Sequence, residues 1–292
     1  MSEIKDPSKQ TLILPKVSIG MPVFNGEHYI HKALDSLLAQ TFIDFELIIS
    51  DNASTDGTEI ICRKYAANDE RIRYFRQTTN QNAYLNFQFV LDKALGEYFM
   101  WAAADDWWSP NFIEVNARAL DLNTHFVAST SPNCYEGEQE EIFKHVYYSI
   151  EGNLTQRISM FMKNAWKSHG IFYSLMRTKQ IKEFDLLGNN YFGLDWFIDL
   201  YLAMNGCINR SVDGLFVIGR HGMSQQKNYF RQYRHKPVEF IFPLYEFSKY
   251  SVKQMTQLKT FDWFKVAYLL IKLNITASRS CLRSEIRFFF DK

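Results

Sequence analysis

The chain is poor in the residues that would staple it together or charge its surface. Its four cysteines, Cys62, Cys134, Cys207 and Cys281, are widely scattered and form neither a CxxC pair nor a Cys/His cluster. That pattern excludes a disulfide framework and a thiolate zinc site, and it fits a reducing, cytoplasmic setting. Net charge is nearly absent as well, at +1, so there is no surplus to neutralise a phosphate backbone and nucleic acid is not an expected partner. Long apolar runs are missing: the longest, Trp263 to Ile275, is broken by Lys265 and Lys272, whereas a bilayer span takes about 20 apolar residues. Met1 to Gln10 is polar with no apolar h-region, which argues against a secretory signal. No GxGxxG follows the first apolar run, and no GxxxxGK with Ser or Thr after it occurs, so dinucleotide and P-loop sites lack their glycines.

What is present is apolar and regular. A hydrophobic content of 47% over 292 residues supplies a full core for one large α/β domain, alone or with an appendage. Lys16 to Phe24 reads as a buried strand, followed by an Asn25-Gly26 turn. Ile30, Ala33, Leu34, Leu37 and Leu38 then recur at helical spacing, predicting an amphipathic helix over Glu27 to Gln40. Phe45 to Ser50 reads as a second strand ending at Asp51. The cap-rich stretch Ala53 to Glu59 opens a helix to about Ala66, Arg71 to Arg76 is a short strand, and Ala83 to Leu95 is a helix. This alternation predicts a parallel, doubly wound sheet. Beyond Leu122 the regularity weakens: strands are expected at His125 to Ser131 and Ile142 to Ile150, and helices at Ser149 to Lys167 and Leu194 to Met204. A hairpin turning at Asp213-Gly214 is expected over Gly206 to Gly219, and helices from Pro237 onward. No internal repeat is present.

The fourth strand, Tyr98 to Ala104, ends in Asp105-Asp106 and then Ser109-Pro110. Two acids at the carboxyl end of a buried strand are costly unless paired, and ligands bind at that edge of open α/β sheets. Side-by-side carboxylates there suit a hard divalent cation carrying a phosphate. Capping of the next helix is the other reading, although Ser109 with Pro110 already supplies a start signal.

Several segments in this order and spacing resemble the family 2 glycosyltransferases of the GT-A fold: Pro22 to Glu27, Ser36 to Thr41 with Phe45 to Ile49, Asp51 to Thr58, Gly96-Glu97-Tyr98, and Asp105-Asp106 with Trp108-Ser109-Pro110. The resemblance is dense from Lys16 to Leu120 and thinner from Asp195 to Ser224. It implies a Rossmann-like, mainly parallel sheet flanked by helices. It also implies transfer of a sugar, with inversion, from a nucleotide donor, UDP-linked by preference, to an acceptor hydroxyl in bacterial surface polysaccharide, O-antigen or capsule assembly. By this resemblance Pro22, Phe24 and Glu27 lie at the nucleotide pocket, with Phe24 against the base, and core packing is the competing account of Phe24. Asp51 accepts a hydrogen bond from a base imide, and Asn82 faces the nucleotide, with a plain helix-surface amide as the alternative. Asp105 contacts ribose or sugar, and Asp106 holds Mn²⁺ or Mg²⁺ against the diphosphate. Asp195 is the general base, its apolar neighbours raising its affinity for the proton, with Asp199 as its rival and helix capping as the structural alternative. His221 approaches the metal or the diphosphate. The resemblance departs from the family at Ala103 and Leu194, where acids are common, and no Gln-x-x-Arg-Trp follows Gln225, which favours single addition over processive synthesis.

The implied domains are 1–235 for transfer, with 15–122 binding nucleotide and 123–235 the acceptor, and 236–292 as a helical basic extension. From Ser251 to Lys292 eight Lys and Arg face three Asp and Glu. Arg279, Arg283 and Arg287 recur every four residues opposite Leu282, Ile286, Phe289 and Phe290. That is either an amphipathic helix for an anionic membrane face, suited to a lipid-linked saccharide acceptor at the inner face of the plasma membrane, or an ordinary packed helix. Two further readings stay open. A sugar-phosphate nucleotidyltransferase would need a Gly-rich basic first loop, which Asn25-Gly26-Glu27 is not. A non-catalytic sugar- or nucleotide-binding module is hinted at by Ala103 and Leu194.

Overall fold

The computed structural model describes residues 14–138, 148–165, 170–186, 193–222 and 236–290. Four strands of its main sheet come from the alternating N-terminal part: β1 (Val17–Val23), β2 (Phe45–Asp51), β3 (Ile72–Arg76) and β4 (Tyr98–Trp101). Every residue of β2 and β4 is buried, and all of β1 except Pro22. Coverage on both faces is why apolar residues fill most of their positions instead of alternating with polar ones, and the polar exceptions Ser18, Glu46, Ser50 and Asp51 are themselves buried. Leu47 and Ile49 of β2 enter one core cluster while Ile48 enters the other, as the two-residue period of a strand requires. The connecting helices are α1 (Ile30–Leu38), α2 (Thr58–Asn68) and α3 (Ala83–Asp92). α1 turns Ile30, Ala33, Leu34 and Leu37 inward, the stripe its spacing dictates.

Next come β5 (Trp107–Trp108), α4 (Phe112–Leu122), β6 (Phe126–Thr130), β7 (Asn133–Tyr135), α5 (Leu154–Asn164), β8 (Leu175–Arg177), α6 (Thr178–Lys182), α7 (Leu194–Asn205), β9 (Cys207–Arg210) and β10 (Phe216–Ile218). The main sheet has the order β3-β2-β1-β4-β8-β6-β9, and a small sheet the order β5-β10-β7. Strands β1 to β4 are parallel, and β8 is antiparallel to both β4 and β6. The chain leaves β1 toward β2 and β3 and returns to β4 on the opposite side. That reversal opens a crevice at the carboxyl ends of β1 and β4, the place where open α/β sheets hold ligands. The small sheet stands just beyond β4 and gathers three distant segments there. The C-terminal helices are α8 (Tyr245–Gln254) and α9 (Thr260–Phe290). Phe247, Val266, Leu270 and Leu273 of these helices share a core cluster with Phe161 of α5 and Phe197 of α7.

The doubly wound, mainly parallel architecture matches the expectation, and several local readings change. Gly206 to Gly219 is not a hairpin. Its arms join different sheets, β9 beside β6 and β10 between β5 and β7, although the turn does pass through Gly214 with φ 81°. The helix expected from Glu27 starts at Ile30, after a turn in which Tyr29 and Ile30 donate their N–H groups to the Gly26 carbonyl. Ser109 does not cap α4, which starts from Asn111; its hydroxyl accepts the Leu215 N–H at 2.8 Å and so fastens the small sheet. Of the strand expected at Ile142 to Ile150, residues 142–147 lie outside the described residues, and Ile150 forms an isolated bridge with Ile208. The helix expected to Lys167 is α5, capped by Asn153 and Gln156 in a reciprocal box, with residues 166–167 outside the description. Met1 to Gln10 and the side chains of Ile286, Arg287, Phe289 and Phe290 also lie outside it.

Candidate functional site

β1 runs into Phe24-Asn25-Gly26. Phe24 is 42% exposed, so it is not a core residue. Asn25 and Ala53 both sit in the left-handed region, at φ 52° and 59°, a conformation that side chains other than glycine adopt only where surroundings impose it. The surroundings are visible. The Asn25 N–H donates to the Ser54 hydroxyl and the Thr55 N–H to the Asn25 side-chain oxygen, each at 2.9 Å. The Glu27 carboxylate accepts the Gly57 N–H at 2.9 Å, while its own N–H donates to Asp56. The loops after β1 and β2 are therefore one hydrogen-bonded unit.

Asp51, at the end of β2, is fully buried. Its Oδ1 accepts the Ser54 N–H, and its Oδ2 accepts the Tyr74 hydroxyl at 2.8 Å and the Arg76 guanidinium at 2.7 Å. Burial, then the Asp51 carboxylate, raises the affinity of the Tyr74 phenol for its proton. Both carboxylate oxygens are engaged, and it is Arg76 that reaches solvent at this end. Pro22 is half-buried. Asn82 is exposed and caps α3, its side-chain oxygen accepting the Tyr84 N–H at 3.0 Å.

The acid pair follows β4, and neither acid caps α4. Asp105 is half-buried and its Oδ2 accepts the His221 N–H at 2.9 Å. Asp106 is 2% exposed, its Oδ1 accepts the Gly219 N–H at 2.8 Å, and its Oδ2 has no partner among the described residues. Burial first, and the neighbouring Asp105 second, push the Asp106 carboxyl well above the usual carboxylate range. The segment after β10 thus closes over the pair with its backbone. Only glycine fits at 219: a Cβ there would stand 2.2 Å from the Asp105 carbonyl oxygen. The His221 ring stacks on Tyr29 at 5.6 Å, nearly parallel. Burial, then Asp105 and Asp56, raises the Tyr29 phenol, so this ring lies within electrostatic reach of two strand ends.

Asp195 lies in the first turn of α7, after Gly193 in the left-handed conformation. Its side chain opens to solvent, yet so much protein surrounds it that desolvation pushes its carboxyl up to about 6. The solvent that reaches it tempers the rise. Tyr135 ties the two acid sites together: after burial and Glu138, both Asp195 and Asp106 raise its phenol. Asp199, one turn along α7, is 2% exposed with Oδ1 unpartnered among the described residues. Burial and then Asp195 raise it well above the carboxylate range, against the pull of Arg210.

The structure accordingly brings Asp105, Asp106 and the backbone of His221 together, the His221 ring turning to Tyr29; Asp195 and Asp106 both act on the Tyr135 phenol, and Phe24 is exposed on the loop after β1. Asp51 is near the same edge but enclosed. Sequence reasoning missed Tyr29, Arg76 and Tyr135. Tyr135 stands on a three-residue strand too short to leave a periodic signal, and Tyr29 hides at the start of a helix. Among the described residues no group of three or more His, Cys, Asp or Glu is set to hold a metal; what fits a hard cation is the orphaned Asp106 oxygen beside a second carboxylate. A separate cavity of about 310 Å³, lined by Glu183, Tyr201, Tyr250 and neighbours, includes none of these residues.

Comparison with known proteins agrees with the fold. GlyA, a glycosyltransferase of Streptococcus pneumoniae serotype 4, is 27% identical over 180 residues, which cover 60% of this chain and 24% of that protein's length. The crystal structure of S. aureus TarS 1-349 in complex with UDP superposes with a TM-score of 0.55 at 18% identity, covering 95% of this chain and 92% of the other. The mannosyltransferase PcManGT from Pyrobaculum calidifontis, in complex with GDP-Man and Mn²⁺, gives a TM-score of 0.53 at 15% identity, covering 95% and 81%. At those identities the two structures attest the fold. Residues 18–190, more than half of the chain, match the family described as "Glycosyl transferase family 2", and the chain belongs to that family.

Proposed function

We propose that this glycosyltransferase moves a sugar from a nucleoside-diphosphate donor, UDP-linked by preference, to an acceptor hydroxyl with inversion at the anomeric carbon. Residues 1–235 carry the reaction, with 15–122 holding the nucleotide and 123–235 the acceptor. The observation that carries this reading is the buried, unpartnered oxygen of Asp106 next to Asp105, with Asp106 and Asp195 both raising the Tyr135 phenol. Asp195 takes the proton from the acceptor hydroxyl, whose oxygen attacks the anomeric carbon as the bond to the diphosphate breaks and nucleoside diphosphate leaves. A carboxyl near 6 is mostly ionised at neutral pH and still basic enough to accept that proton. Asp106, with Asp105 and His221 beside it, is the group to hold Mn²⁺ or Mg²⁺, which would neutralise charge developing on the departing diphosphate. Phe24, Pro22 and Glu27 border the base with Asp51 and Arg76 behind it, and Asn82 stands at the mouth. A saccharide, free or lipid-linked, as in surface polysaccharide assembly, is the acceptor this reading takes.

The UDP complex of TarS and the GDP-Man and Mn²⁺ complex of PcManGT support a nucleotide-sugar donor and a metal. A non-catalytic module is the second reading, favoured by Ala103 and Leu194 standing where the family carries acids. Nucleoside diphosphate release from UDP, GDP and dTDP sugars, with and without Mn²⁺, separates the two. Transfer predicts Mn²⁺-dependent release, abolished in Asp106→Asn; a folded protein that binds donor and never releases diphosphate establishes the module.

A further inference from the structure

Among the described residues nothing covers the outer side of α9, and that side has an unusual composition. Phe261, Phe264, Tyr268, Ile271, Ile275 and Leu282 are each 49–83% exposed. They recur at intervals of three and four residues, so they lie in one row along the helix. Their opposite numbers, Val266, Leu270, Leu273 and Ala277, are buried against the core. The row skips one step, at Ser278. There the Ser278 hydroxyl donates to the Ile241 carbonyl at 2.7 Å, and the loop it holds carries Phe240, Ile241 and Phe242, all at least half exposed. A soluble surface seldom carries an apolar row this continuous without a partner.

The charges beside the row indicate which partner. Lys265, Lys272 and Arg279 recur every seven residues along it, with Arg283 after them, and all four are exposed. Asp262, the one acid between Thr260 and Arg283, is half-buried. Nearby, Glu246 on α8 is buried and paired with Lys236 and Lys249. A second copy of the same helix would set like charges against each other along the seam, where coiled coils place complementary ones. We infer that this face docks on an anionic lipid surface, the aromatic and aliphatic row entering the headgroup boundary and the Lys and Arg row meeting the phosphates. Interleaved large apolar side chains and cations, with acid removed, are what such a helix requires. The inference does not depend on the transfer reaction, and its test reads no activity.

The full chain is sedimented with vesicles of phosphatidylcholine alone or of equal parts phosphatidylcholine and phosphatidylglycerol, at low and high salt. The expected result is co-sedimentation with the anionic vesicles, weakened by salt, and little with the neutral ones. The double change Phe264→Ser, Ile271→Ser and the triple change Lys265→Gln, Lys272→Gln, Arg279→Gln each lower the partition by roughly tenfold or more. Both act on exposed positions, and an unchanged melting temperature verifies the fold. Wild-type protein that stays in the supernatant, or variants that bind as well as wild type, overturn the proposal. So does a dimer, seen by sedimentation velocity without lipid, that the Phe264→Ser, Ile271→Ser change dissolves.

Discussion

Asp195 and Asp199 share one helix face and differ in what water can reach, and that difference sets separate predictions. Asp195 is open on one side, and its carboxyl near 6 must be ionised to act as a base. The rate constant kcat is therefore expected to fall as pH drops through about 6, and Asp195→Asn to lose about 10²- to 10⁴-fold in kcat while donor affinity is kept. A kcat–pH profile with a flat acid limb, or a variant that turns over normally, removes Asp195 from the role. Asp199 has no such opening. Below the ordinary carboxylate range the folded and unfolded chains both carry its proton and nothing is lost. As pH rises through that range toward the raised folded value, the unfolded chain gains by ionising and the fold is penalised. Asp199→Asn is thus expected to raise the melting temperature at neutral and alkaline pH, by on the order of 1–3 kcal/mol in stability, with the gain vanishing in acid. A pH-independent difference between the two melting curves would contradict this account.

At the scale of elements, the acid pair is held by β10 and the turn after it rather than by its own neighbours. Gly219 donates its N–H to Asp106, and the next residue but one donates to Asp105. Gly219→Ala drives a methyl into the Asp105 backbone, so it is expected to cost about 1–3 kcal/mol and to weaken divalent-cation-dependent donor binding together. Calorimetric titration of UDP with and without Mn²⁺, beside a thermal melt, measures both; full binding in a destabilised protein would detach the turn from the site. This dependence also explains what the sequence revealed and what it hid. The strands β1, β2 and β4, buried on both faces, and the striped helix α1 announced themselves through composition and period. So did the acids at their ends. The small sheet did not: β5, β7 and β10 have two or three residues each, fewer than any periodic signal needs, and β10 pairs with strands about 80 and about 110 positions before it. The mistaken hairpin has the same origin, since a turn at Asp213-Gly214 specifies a reversal of direction and not which sheet each arm will join. Phe24 could be read as base contact or core from sequence alone, and only its exposure separates the two.

At the scale of the molecule, the N-terminal crevice and the C-terminal helices are linked through a shared interior. Trp101, the last residue of β4 and four positions before Asp105, belongs to the same core cluster as Phe197 of α7 and Phe247, Leu270 and Leu273 of the C-terminal helices. α9 therefore has two jobs on two faces: its inner side closes the core beneath α5 and α7, and its outer side is the row assigned to lipid. Ending the chain at residue 235 would strip the cover from Phe161 and Phe197. Each large side chain returned to water costs ~1.5–3 kcal/mol, and several together approach the whole stability of a domain, about 5–15 kcal/mol. The truncated chain is expected to be insoluble or to melt without a cooperative transition, whereas Phe264→Ser, on the outer face, leaves the transition where it was. The contrast is the informative part. If the truncated chain melts cooperatively and still releases nucleoside diphosphate, the helices are a separable attachment and the core is complete without them; if both changes unfold the protein, the outer face is structural and the division of labour on α9 is wrong.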